Sequence, residues 1–234
     1  MYLGEKILAI IPARKNSKGL PGKNTKNFLG KPLFVHSIDH AMGSKLIDDI
    51  VVTSDSSDIN LISSKIGVQC IPRPENLATD TAHTPDAITH AVEWIKQRTG
   101  MEYNLIVMLQ PTSPLRNSKD IDTAIKMLQD SSRRSIVSVC ESSCNLKYIN
   151  TLPKNLCMSN FLDIDGNASN RQYYDKSYQL NGAIYVSWYD YFLENKGFYG
   201  PETYAYTMPK ERSVDIDTNF DFKLAEFFGR ELKK

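Results

Sequence analysis

The sequence predicts an α/β fold with a mainly parallel central sheet, on three observations. The chain has 234 residues, of which 41% are hydrophobic and 24% charged, as in an ordinary globular domain. Short runs of aliphatic and β-branched residues recur along it, which is typical of strands buried on both faces. Segments with apolar residues at helical spacing lie between these runs. Strands that alternate with helices form βαβ units, and hence a parallel sheet.

The buried strands are predicted from continuous apolar runs that end in polar or turn residues. Ile7–Ile11 is the clearest of them, and a long polar loop follows it. The strands predicted before residue 141 are Ile7–Ile11, Asp49–Thr53, Val68–Ile71, Leu105–Leu109 and Ile136–Cys140.

The helices are predicted from apolar residues that recur every three to four positions. Thr84 followed by Pro85 indicates a helix start, with Thr84 as the capping residue. Ser118 is the predicted cap of a later helix. The helices predicted before residue 141 are Pro32–Met42, Ser57–Ile66, Thr84 to about Arg98, and one that begins at Ser118.

The alternation is interrupted between Glu141 and Leu180, where Ser, Asn, Asp and Tyr are frequent and no period is clean. We predict one domain over residues 1–234, with an inserted dimerisation and substrate subdomain at about 141–180. The tyrosines at 173, 174 and 178 favour an oligomer interface, because tyrosine is enriched at such surfaces. A homodimer is therefore expected.

Regular structure resumes after this segment, with predicted strands Gly182–Val186 and Tyr204–Met208. A last helix is predicted to begin near Thr218, which forms a capping box with Asp221. One face of this helix should be apolar, carrying Phe220, Leu224 and Phe227.

Charge and hydropathy exclude several classes of function. The 28 Lys and Arg residues nearly balance the 27 Asp and Glu residues, and this net charge of +1 argues against a nucleic-acid binder. No apolar run is long enough to span a membrane, and Ile7–Ile11 is too short for the core of a signal peptide. The four cysteines are scattered, as expected for free thiols in a reducing compartment. We therefore predict a cytoplasmic protein with no membrane partner.

Positive charge is concentrated in the loop after the first predicted strand. No acidic residue lies between Glu5 and Asp39. The cations of this span are Lys6, Arg14, Lys15, Lys18, Lys23, Lys26 and Lys31. In open α/β sheets, ligands bind at the carboxyl ends of the strands. Glycines and cations at that edge predict a polyphosphate site, because backbone N–H groups can approach the phosphates closely.

Two common phosphate motifs fail when they are compared with this loop. A Walker A motif would need a glycine at Ser17 and a Ser or Thr at Asn24. A dinucleotide fingerprint needs G-x-G-x-x-G, but Gly19 and Gly22 supply only G-x-x-G. A P-loop NTPase and a nicotinamide dehydrogenase are both disfavoured.

An ordered set of short motifs along nearly the whole chain resembles the acylneuraminate cytidylyltransferases, also called CMP-sialic acid synthetases. The matching segments are Ile11–Arg14, Ser17–Gly19, Gly22–Asn24, Ser54–Ser56, Arg73–Pro74, Leu77–Ala78, Leu109–Arg116, Arg171–Gln172, Asn181–Tyr185, Met208–Pro209 and Asp215–Asp217. This chain departs from the family at Lys15 and Asn16, where the family usually carries two glycines.

The resemblance implies a three-layer Rossmann-like nucleotidyltransferase fold with a small dimerisation arm. It also implies an enzyme with Mg²⁺ as cofactor, which converts CTP and N-acetylneuraminate to CMP-N-acetylneuraminate and pyrophosphate. Two alternatives stay open: the same reaction on a related acid such as N,N'-diacetyllegionaminate, and a nucleotide-binding module without catalysis.

The resemblance also implies roles for individual residues. The catalytic residues would be Arg14, Lys23 and Asp217. Nucleotide-binding residues would be Ala13, Arg14, Lys18, Lys23, Asn24 and Arg73. Substrate-binding residues would be Gln110, Arg171 and Asn181. Arg116, which follows a rigid turn, is predicted to be structural.

Two aspartates near the carboxyl end of the chain are the candidate metal ligands. Asp215 and Asp217 are two positions apart, so in an extended segment both face one side while Ile216 faces the core. Paired carboxylates suit Mg²⁺. From the residues alone, an alternative is equally good: Asp217 caps the last helix, and Asp215 pairs with Arg212 or Lys210.

Overall fold

A computed structural model of the chain describes residues 4–16, 19–130, 132–162 and 175–232. The strands are β1 Ile7–Pro12, β2 Asn27–Phe28, β3 Lys31–Pro32, β4 Asp49–Ser54, β5 Gln69–Pro72, β6 Leu105–Met108, β7 Ser135–Glu141, β8 Tyr178–Trp188 and β9 Thr203–Met208. The α-helices are α1 Leu33–Met42, α2 Ser57–Ile66, α3 Thr84–Thr99, α4 Ser118–Lys126, α5 Tyr189–Glu194 and α6 Asn219–Glu231. Among the described helices, none combines the length and the apolar composition needed to span a bilayer.

Seven strands form the central sheet, in the order β5-β4-β1-β6-β8-β7-β9. Strand β8 runs antiparallel to β6 and β7, and the other neighbours are parallel. The predicted mainly parallel sheet is therefore confirmed. Because β8 is reversed, its first residues lie at the same edge of the sheet as the carboxyl ends of the parallel strands. β2 and β3 form a separate two-stranded hairpin.

The three layers follow from the alternation of side chains along β1. Ile7, Ala9 and Ile11 face a core that is shared with α1, α2 and α4. Leu8 and Ile10 face the opposite core, which is shared with α3 and α5. All five side chains are fully buried, which explains why the strand is a continuous apolar run without a polar face.

Helix α6 packs on a third, smaller core, and its buried face differs from the predicted one. Phe222 and Ala225 are buried against Phe28 of β2. Phe220 and Phe227, on the face predicted to be apolar, are 73% and 58% exposed, so this apolar face is not the one that packs on the core. The helix has apolar residues on both faces, and periodicity cannot decide which face the protein covers.

Two predicted helix caps are displaced by one residue. Helix α3 begins at Thr84, with His83 at the capping position and no side-chain cap. Helix α4 begins at Ser118, and Asn117 forms its capping box with Asp120. The hydroxyl of Ser118 instead donates to the carbonyl of His40 at 2.8 Å. The capping box predicted for α6, between Thr218 and Asp221, is confirmed.

The insertion after β7 is shorter than predicted. Strands β7 and β8 pair as far as Glu141 and Tyr178, so residues 178–180 belong to the sheet rather than to an irregular segment. In the described part of the insertion, Leu146–Tyr148 forms a 3₁₀ turn. Apolar side chains in the described part of the insertion are exposed, including Leu146 at 68% and Ile149 at 56%.

Candidate active site

The loops at the carboxyl ends of β1, β5 and β6 border a cleft of about 360 Å³. This is the edge at which open α/β sheets bind their ligands. The cleft is lined by Pro12, Arg14, Gly19, Lys23, Asn24, Arg73, Thr84, Gln110, Pro111, Thr112, Asp215 and Asp217. Seven of the predicted site residues therefore lie around one space, although they are spread over 200 positions of the sequence.

Lys23 and Asp217 form an ion pair at one end of the cleft. The Nζ atom of Lys23 donates to Asp217 Oδ1 at 2.9 Å and to the carbonyl of Ile216 at 2.8 Å. The Lys23 side chain is 10% exposed, whereas that of Asp217 is 72% exposed. Lys23 is thus held by two hydrogen bonds, whereas the carboxylate of Asp217 remains accessible to a ligand.

Asp215 and Asp217 both line the cleft, and Ile216 between them is fully buried. This is the alternation predicted for an extended segment. The Ile216 N–H donates to the carbonyl of Thr112 at 2.8 Å, which fixes this segment beside the loop after β6.

The structure does not support the alternative role of the two aspartates. Thr218 caps α6, so Asp217 is not the cap. Arg212 pairs with Asp120 at 2.7 Å rather than with Asp215. Neither contact of that alternative is therefore formed with Thr218 and Arg212 as they lie, and the ion pair of Asp217 is with Lys23 inside the cleft.

The carboxylate pair fits the donor set of a hard divalent cation. Burial raises the pKa of Asp215, and the charge of Asp217 raises it further, so the two like charges disfavour each other. No group of three or more His, Cys, Asp and Glu residues suited to a metal occurs in the described residues. Mg²⁺ is commonly bound by one or two carboxylates together with water and substrate phosphates. Asp215 and Asp217 are the residues that would hold it.

Two arginines also line the cleft. Arg73 donates from Nη2 to the carbonyl of Thr53 at 2.8 Å, and burial lowers its pKa to about 10, which still leaves it charged at neutral pH. Arg14 pairs through Nη1 with Asp80 Oδ1 and with the carbonyl of Thr79, each at 3.1 Å. A phosphate that binds Arg14 would therefore replace these contacts.

Asn24 and Ala13 contribute to the shape of the phosphate loop. The Nδ2 atom of Asn24 donates to the carbonyl of Arg14 at 2.8 Å, which connects the 3₁₀ turn Lys23–Thr25 to the end of β1. Ala13 is fully buried, and its N–H donates to the carbonyl of Thr53 at 3.0 Å. Ala13 itself does not line the cleft, so its predicted nucleotide contact is not supported by its position.

Gln110 lines the cleft, but Asn181 does not reach it. Asn181 is 1% exposed, and its amide group is bonded to Ser138 and Ser213 at 2.6 and 3.0 Å. Asn181 immediately precedes Gly182, whose φ of 67° falls in the left-handed region. A side chain at Gly182 would approach Gln110 Oε1 to 2.7 Å. The geometry thus favours Asn181 as a residue that positions Gly182 rather than as a direct ligand.

Arg116 supports the loop that carries Gln110, as predicted. It is 1% exposed, and Nη1 donates to the carbonyls of Gln110, Ser113 and Ala183 at 2.8, 2.8 and 3.1 Å. Its guanidinium therefore connects the loop after β6 to β8.

A second, more apolar pocket of about 230 Å³ adjoins the cleft and shares Thr84 and Gln110 with it. Its walls include Met108, Tyr185, Phe198 and Tyr199. The rings of Tyr185 and Phe198 pack at a centroid distance of 5.3 Å. No local pattern in the sequence indicates this pocket, because its aromatic residues lie in β8 and in the segment after α5.

Lys18 and Arg171 lie outside the described residues, so their predicted roles stay predictions. Lys15, at the position where the family usually has glycine, is described. Its N–H donates to Asp55 Oδ1 at 2.7 Å, which fixes the start of the cationic loop next to the end of β4.

Five residues of the cleft have no binding or catalytic role predicted from the sequence: Pro12, Gly19, Thr84, Pro111 and Thr112. Thr84 is the predicted cap of α3, and Thr112 lies in one of the segments that resemble the family. Gly19 is needed for close packing, since a Cβ atom there would lie 2.3 Å from the carbonyl oxygen of Asp217. The contact partner is 198 positions away, so no local pattern could indicate it.

A larger cavity of about 670 Å³ lies at the other edge of the sheet, near Asn104 and Trp188. Its two arginines are already paired, Arg133 with Asp130 at 3.3 Å and Arg134 with Asp190 at 2.6 Å. It also lacks the carboxylate pair of the cleft, since Asp190 is the one carboxylate among its lining residues.

Comparison with known protein families decides the family. The family model described as cytidylyltransferase matches residues 8–232. The chain belongs to the cytidylyltransferase family. The predicted family membership is confirmed. The matched range includes every residue that lines the cleft.

Curated relatives in this family differ in the sugar acid that their names give. An N-acylneuraminate cytidylyltransferase of Escherichia coli O18:K1:H7 is 38% identical over 221 residues, which cover 94% of this chain and 51% of that protein. A CMP-N,N'-diacetyllegionaminic acid synthase of Legionella pneumophila is 34% identical, covering 94% of this chain and 95% of that protein. The chain thus spans about half the length of the first relative and nearly all of the second.

A solved structure supports the fold. It is that of a CMP:2-keto-3-deoxy-manno-octonic acid synthetase complexed with CTP, which superposes with a TM-score of 0.69 at 16% identity. The alignment covers 97% of this chain and 99% of that chain. The predicted three-layer nucleotidyltransferase fold is confirmed, apart from the dimerisation arm.

Proposed function

We propose that this protein transfers a cytidylyl group from CTP to a nonulosonic acid of the sialic acid type, with release of pyrophosphate. The carrying observation is one cleft that is lined by Arg14, Lys23, Arg73 and the Asp215–Asp217 pair. A cytidylyltransferase must bind a highly charged triphosphate and a sugar carboxylate at the same time, and this arrangement of opposite charges suits that task.

In the proposed reaction, the anomeric hydroxyl oxygen of the sugar bonds to the α-phosphorus while the bond to the β-phosphate oxygen breaks. The hydroxyl proton is lost, and pyrophosphate leaves. Catalysis of this kind consists mainly of positioning and charge stabilisation. Arg14, Arg73 and Lys23 would neutralise the phosphate oxygens, and a guanidinium can do so with paired hydrogen bonds.

Mg²⁺ is part of the proposal, because two carboxylates that line a cleft suited to a triphosphate match the ligands that a hard cation prefers. Asp215 and Asp217 would bind it. When bound, Mg²⁺ would supply positive charge to the phosphate oxygens. Asp217 also contacts Lys23 at 2.9 Å, so its carboxylate would be shared between the lysine and the cation.

The sugar acid would occupy the adjoining apolar pocket. Gln110 lies between the two spaces and carries both a donor and an acceptor, which suits a sugar hydroxyl or carboxylate. The aromatic wall formed by Tyr185 and Phe198 suits an acyl substituent. Both N-acetylneuraminate and N,N'-diacetyllegionaminate carry such groups, so the pocket does not distinguish them.

A panel of substrates tests the proposal. Purified protein with Mg²⁺ is mixed with each of CTP, UTP and ATP, and with N-acetylneuraminate, N,N'-diacetyllegionaminate, 2-keto-3-deoxy-octonate or no acid. We expect pyrophosphate release only with CTP and a nonulosonate, and the faster acid identifies the substrate. Binding of CTP without pyrophosphate release from any acid would instead support a non-catalytic nucleotide-binding module.

The proposed single domain of residues 1–234, with its insertion at about 141–180, would act as a homodimer. Support comes from the exposed apolar side chains of the insertion, which are costly to leave in water. They include Leu146, Ile149, Leu152, Leu156 and Met158. A cytoplasmic location is also proposed, and the four free cysteines agree with it.

A further inference from the structure

Arg116 is a buried cation without a carboxylate partner, and this is costly for a charged group. Among the described residues, no Asp or Glu forms a salt bridge with its guanidinium. Its contacts are three backbone carbonyls and the hydroxyl of Ser37. Its Nε atom is buried and has no hydrogen-bond partner. Asp120, the acidic residue with the largest effect on it, is itself bonded to Arg212.

Arg116 also lines a pocket of about 290 Å³ on the side away from the cleft. The other charged and titratable residues of this pocket are Lys31, His36, Asp39 and His40. Asp39 is the one acidic residue among them, and its carboxylate is engaged by Lys31 at 2.6 Å.

His40 repeats the pattern seen at Arg116. Its Nδ1 atom is buried and has no hydrogen-bond partner. Burial and the charges of Arg116, His36 and Lys31 lower its pKa to about 3. The lining of the pocket therefore has two cations, Lys31 and Arg116, against the single carboxylate of Asp39. Arg116 and His40 each have a buried nitrogen atom without a hydrogen-bond partner.

We propose that this pocket binds a small oxyanion of the phosphate class, which serves as the missing counter-ion of Arg116. The space is sufficient for such an ion, and nitrogen donors are the groups that recognise it. The ion would be a neighbour of the same guanidinium that donates to the carbonyl of Gln110 at 2.8 Å. It would therefore stabilise the loop that carries Gln110 into the cleft. This site is separate from the proposed phosphate-binding residues Arg14, Lys23 and Arg73.

Inorganic phosphate is the probe for this site. Thermal unfolding is measured without nucleotide, at constant ionic strength, while phosphate replaces a bulky organic anion. A ligand that binds only the folded state raises Tm with its concentration. We expect a rise of roughly 5–10 °C at a hundredfold excess over Kd for a chain of this size. No rise at any phosphate concentration would overturn the proposal.

Variants separate this pocket from the cleft, where phosphate could also bind. His40→Phe keeps an aromatic ring but removes both ring nitrogens, and Lys31→Gln removes a charge. In both we expect the phosphate-dependent rise in Tm to shrink by half or more, with little change in Tm without phosphate. Lys23→Met, in the cleft, should retain the rise. The reverse pattern, with the rise lost in Lys23→Met and kept in the other two, would place the phosphate in the cleft and refute the proposal.

A second readout does not depend on thermal stability. The ring nitrogens of His40 are followed by NMR in histidine-labelled protein as phosphate is added. An oxyanion near the ring favours its protonated form, so we expect the His40 resonances to shift with saturation and its pKa to rise. Unchanged His40 resonances at phosphate concentrations that raise Tm would contradict binding in this pocket.

Discussion

Arg14 and Asp217 each hold an ion pair in the cleft that ligands would rearrange. Arg14 contacts Asp80, and Asp217 contacts Lys23. Both pairs are partly exposed, and such pairs contribute little to stability. Replacing these ion pairs by contacts to phosphate or metal should therefore change the free energy of unfolding little. The charged residues of the cleft contribute to binding more than to folding.

Arg14→Ala is expected to lower turnover by a factor of roughly a hundred or more, because a charge-assisted contact to phosphate is lost. Turnover is measured as pyrophosphate release at saturating CTP. Arg98→Ala is a matched control, since Arg98 is an exposed arginine that packs on the ring of Trp94 far from the cleft. A folded Arg14→Ala protein with nearly normal turnover would rule out the proposed role.

Asp217→Asn should largely abolish activity and raise the Mg²⁺ concentration needed for what remains. Asparagine keeps the size of the side chain but removes the charge that a hard cation requires. Turnover is measured against Mg²⁺ for both proteins. Thr218→Ala serves as the control, because it removes the cap of α6, at a cost of about 1 kcal/mol, and leaves the carboxylate in place. Superimposable Mg²⁺ curves for wild type and Asp217→Asn would disprove the metal role.

His40 should make the protein less stable in acid. Its pKa is about 3 in the folded state and 6.5 in the ordinary state. Below pH 6.5 the unfolded chain therefore binds a proton that the folded chain does not, and stability falls as the pH decreases toward 3. The stability that wild type has relative to His40→Phe should decline by roughly 1 kcal/mol per pH unit between pH 6 and 4.

This pH dependence is measured by urea unfolding of both proteins in phosphate-free buffer. His83→Phe is the control, because His83 is exposed. If wild type and His40→Phe lose stability in parallel as the pH falls, His40 is protonated in the folded protein as readily as in the unfolded chain. The lowered pKa of His40 is then incorrect.

At the scale of elements, the ends of strands and helices determine the shape of the cleft. Strand β8 is antiparallel, and this brings Gly182 to the carboxyl edge of β6. The positive φ of Gly182 then turns the chain past Gln110. An apolar run predicts a strand but not its direction, since direction depends on the connection and on the neighbours with which the strand pairs.

Gly182→Ala is expected to lower turnover at least tenfold, because the new Cβ atom would lie 2.7 Å from Gln110 Oε1 and 3.1 Å from Asp215 Oδ2. Gly100→Ala provides a control with the same backbone strain, since Gly100 has a φ of 70° and open space around its Cβ position. Both substitutions should cost about 1–2 kcal/mol of stability through the left-handed conformation, as measured by urea unfolding. Equal turnover in the two variants would show that the close approach at Gly182 has no catalytic consequence.

At the scale of the whole molecule, exposed apolar residues concentrate in two places, the insertion between β7 and β8 and one face of α6. Among the described residues, the insertion carries more of them than α6 does. The described part of the insertion contains a 3₁₀ turn, Leu146–Tyr148, and no strand of the sheet.

Ile149→Asp is expected to convert the proposed dimer to a monomer, because a charge at the centre of an apolar interface is not compensated. Light scattering at working concentration measures the mass. Phe227→Asp places the same charge on the exposed face of α6 and should leave the dimer intact. A wild-type protein that is monomeric would contradict the interface, and a dimer lost only in Phe227→Asp would assign it to α6 instead.

The sequence by itself determined the fold class, the positions of nearly all strands and helices, and the cationic loop after β1. These features are local, since a continuous apolar run, a helical period or a span without acids can be recognised within 10 to 30 neighbouring residues. The spacing of Asp215 and Asp217 around Ile216 was predictable for the same reason.

Only the tertiary structure decided which residues meet. The contact of Gly19 with Asp217, the apolar pocket beside Gln110 and the burial of Asn181 all depend on segments that are far apart in the chain. The exposed face of α6 was likewise decided by which side of the helix the smaller core covers. Burial is a property of the assembled layers, and an amphipathic pattern with apolar residues on both faces does not contain that information.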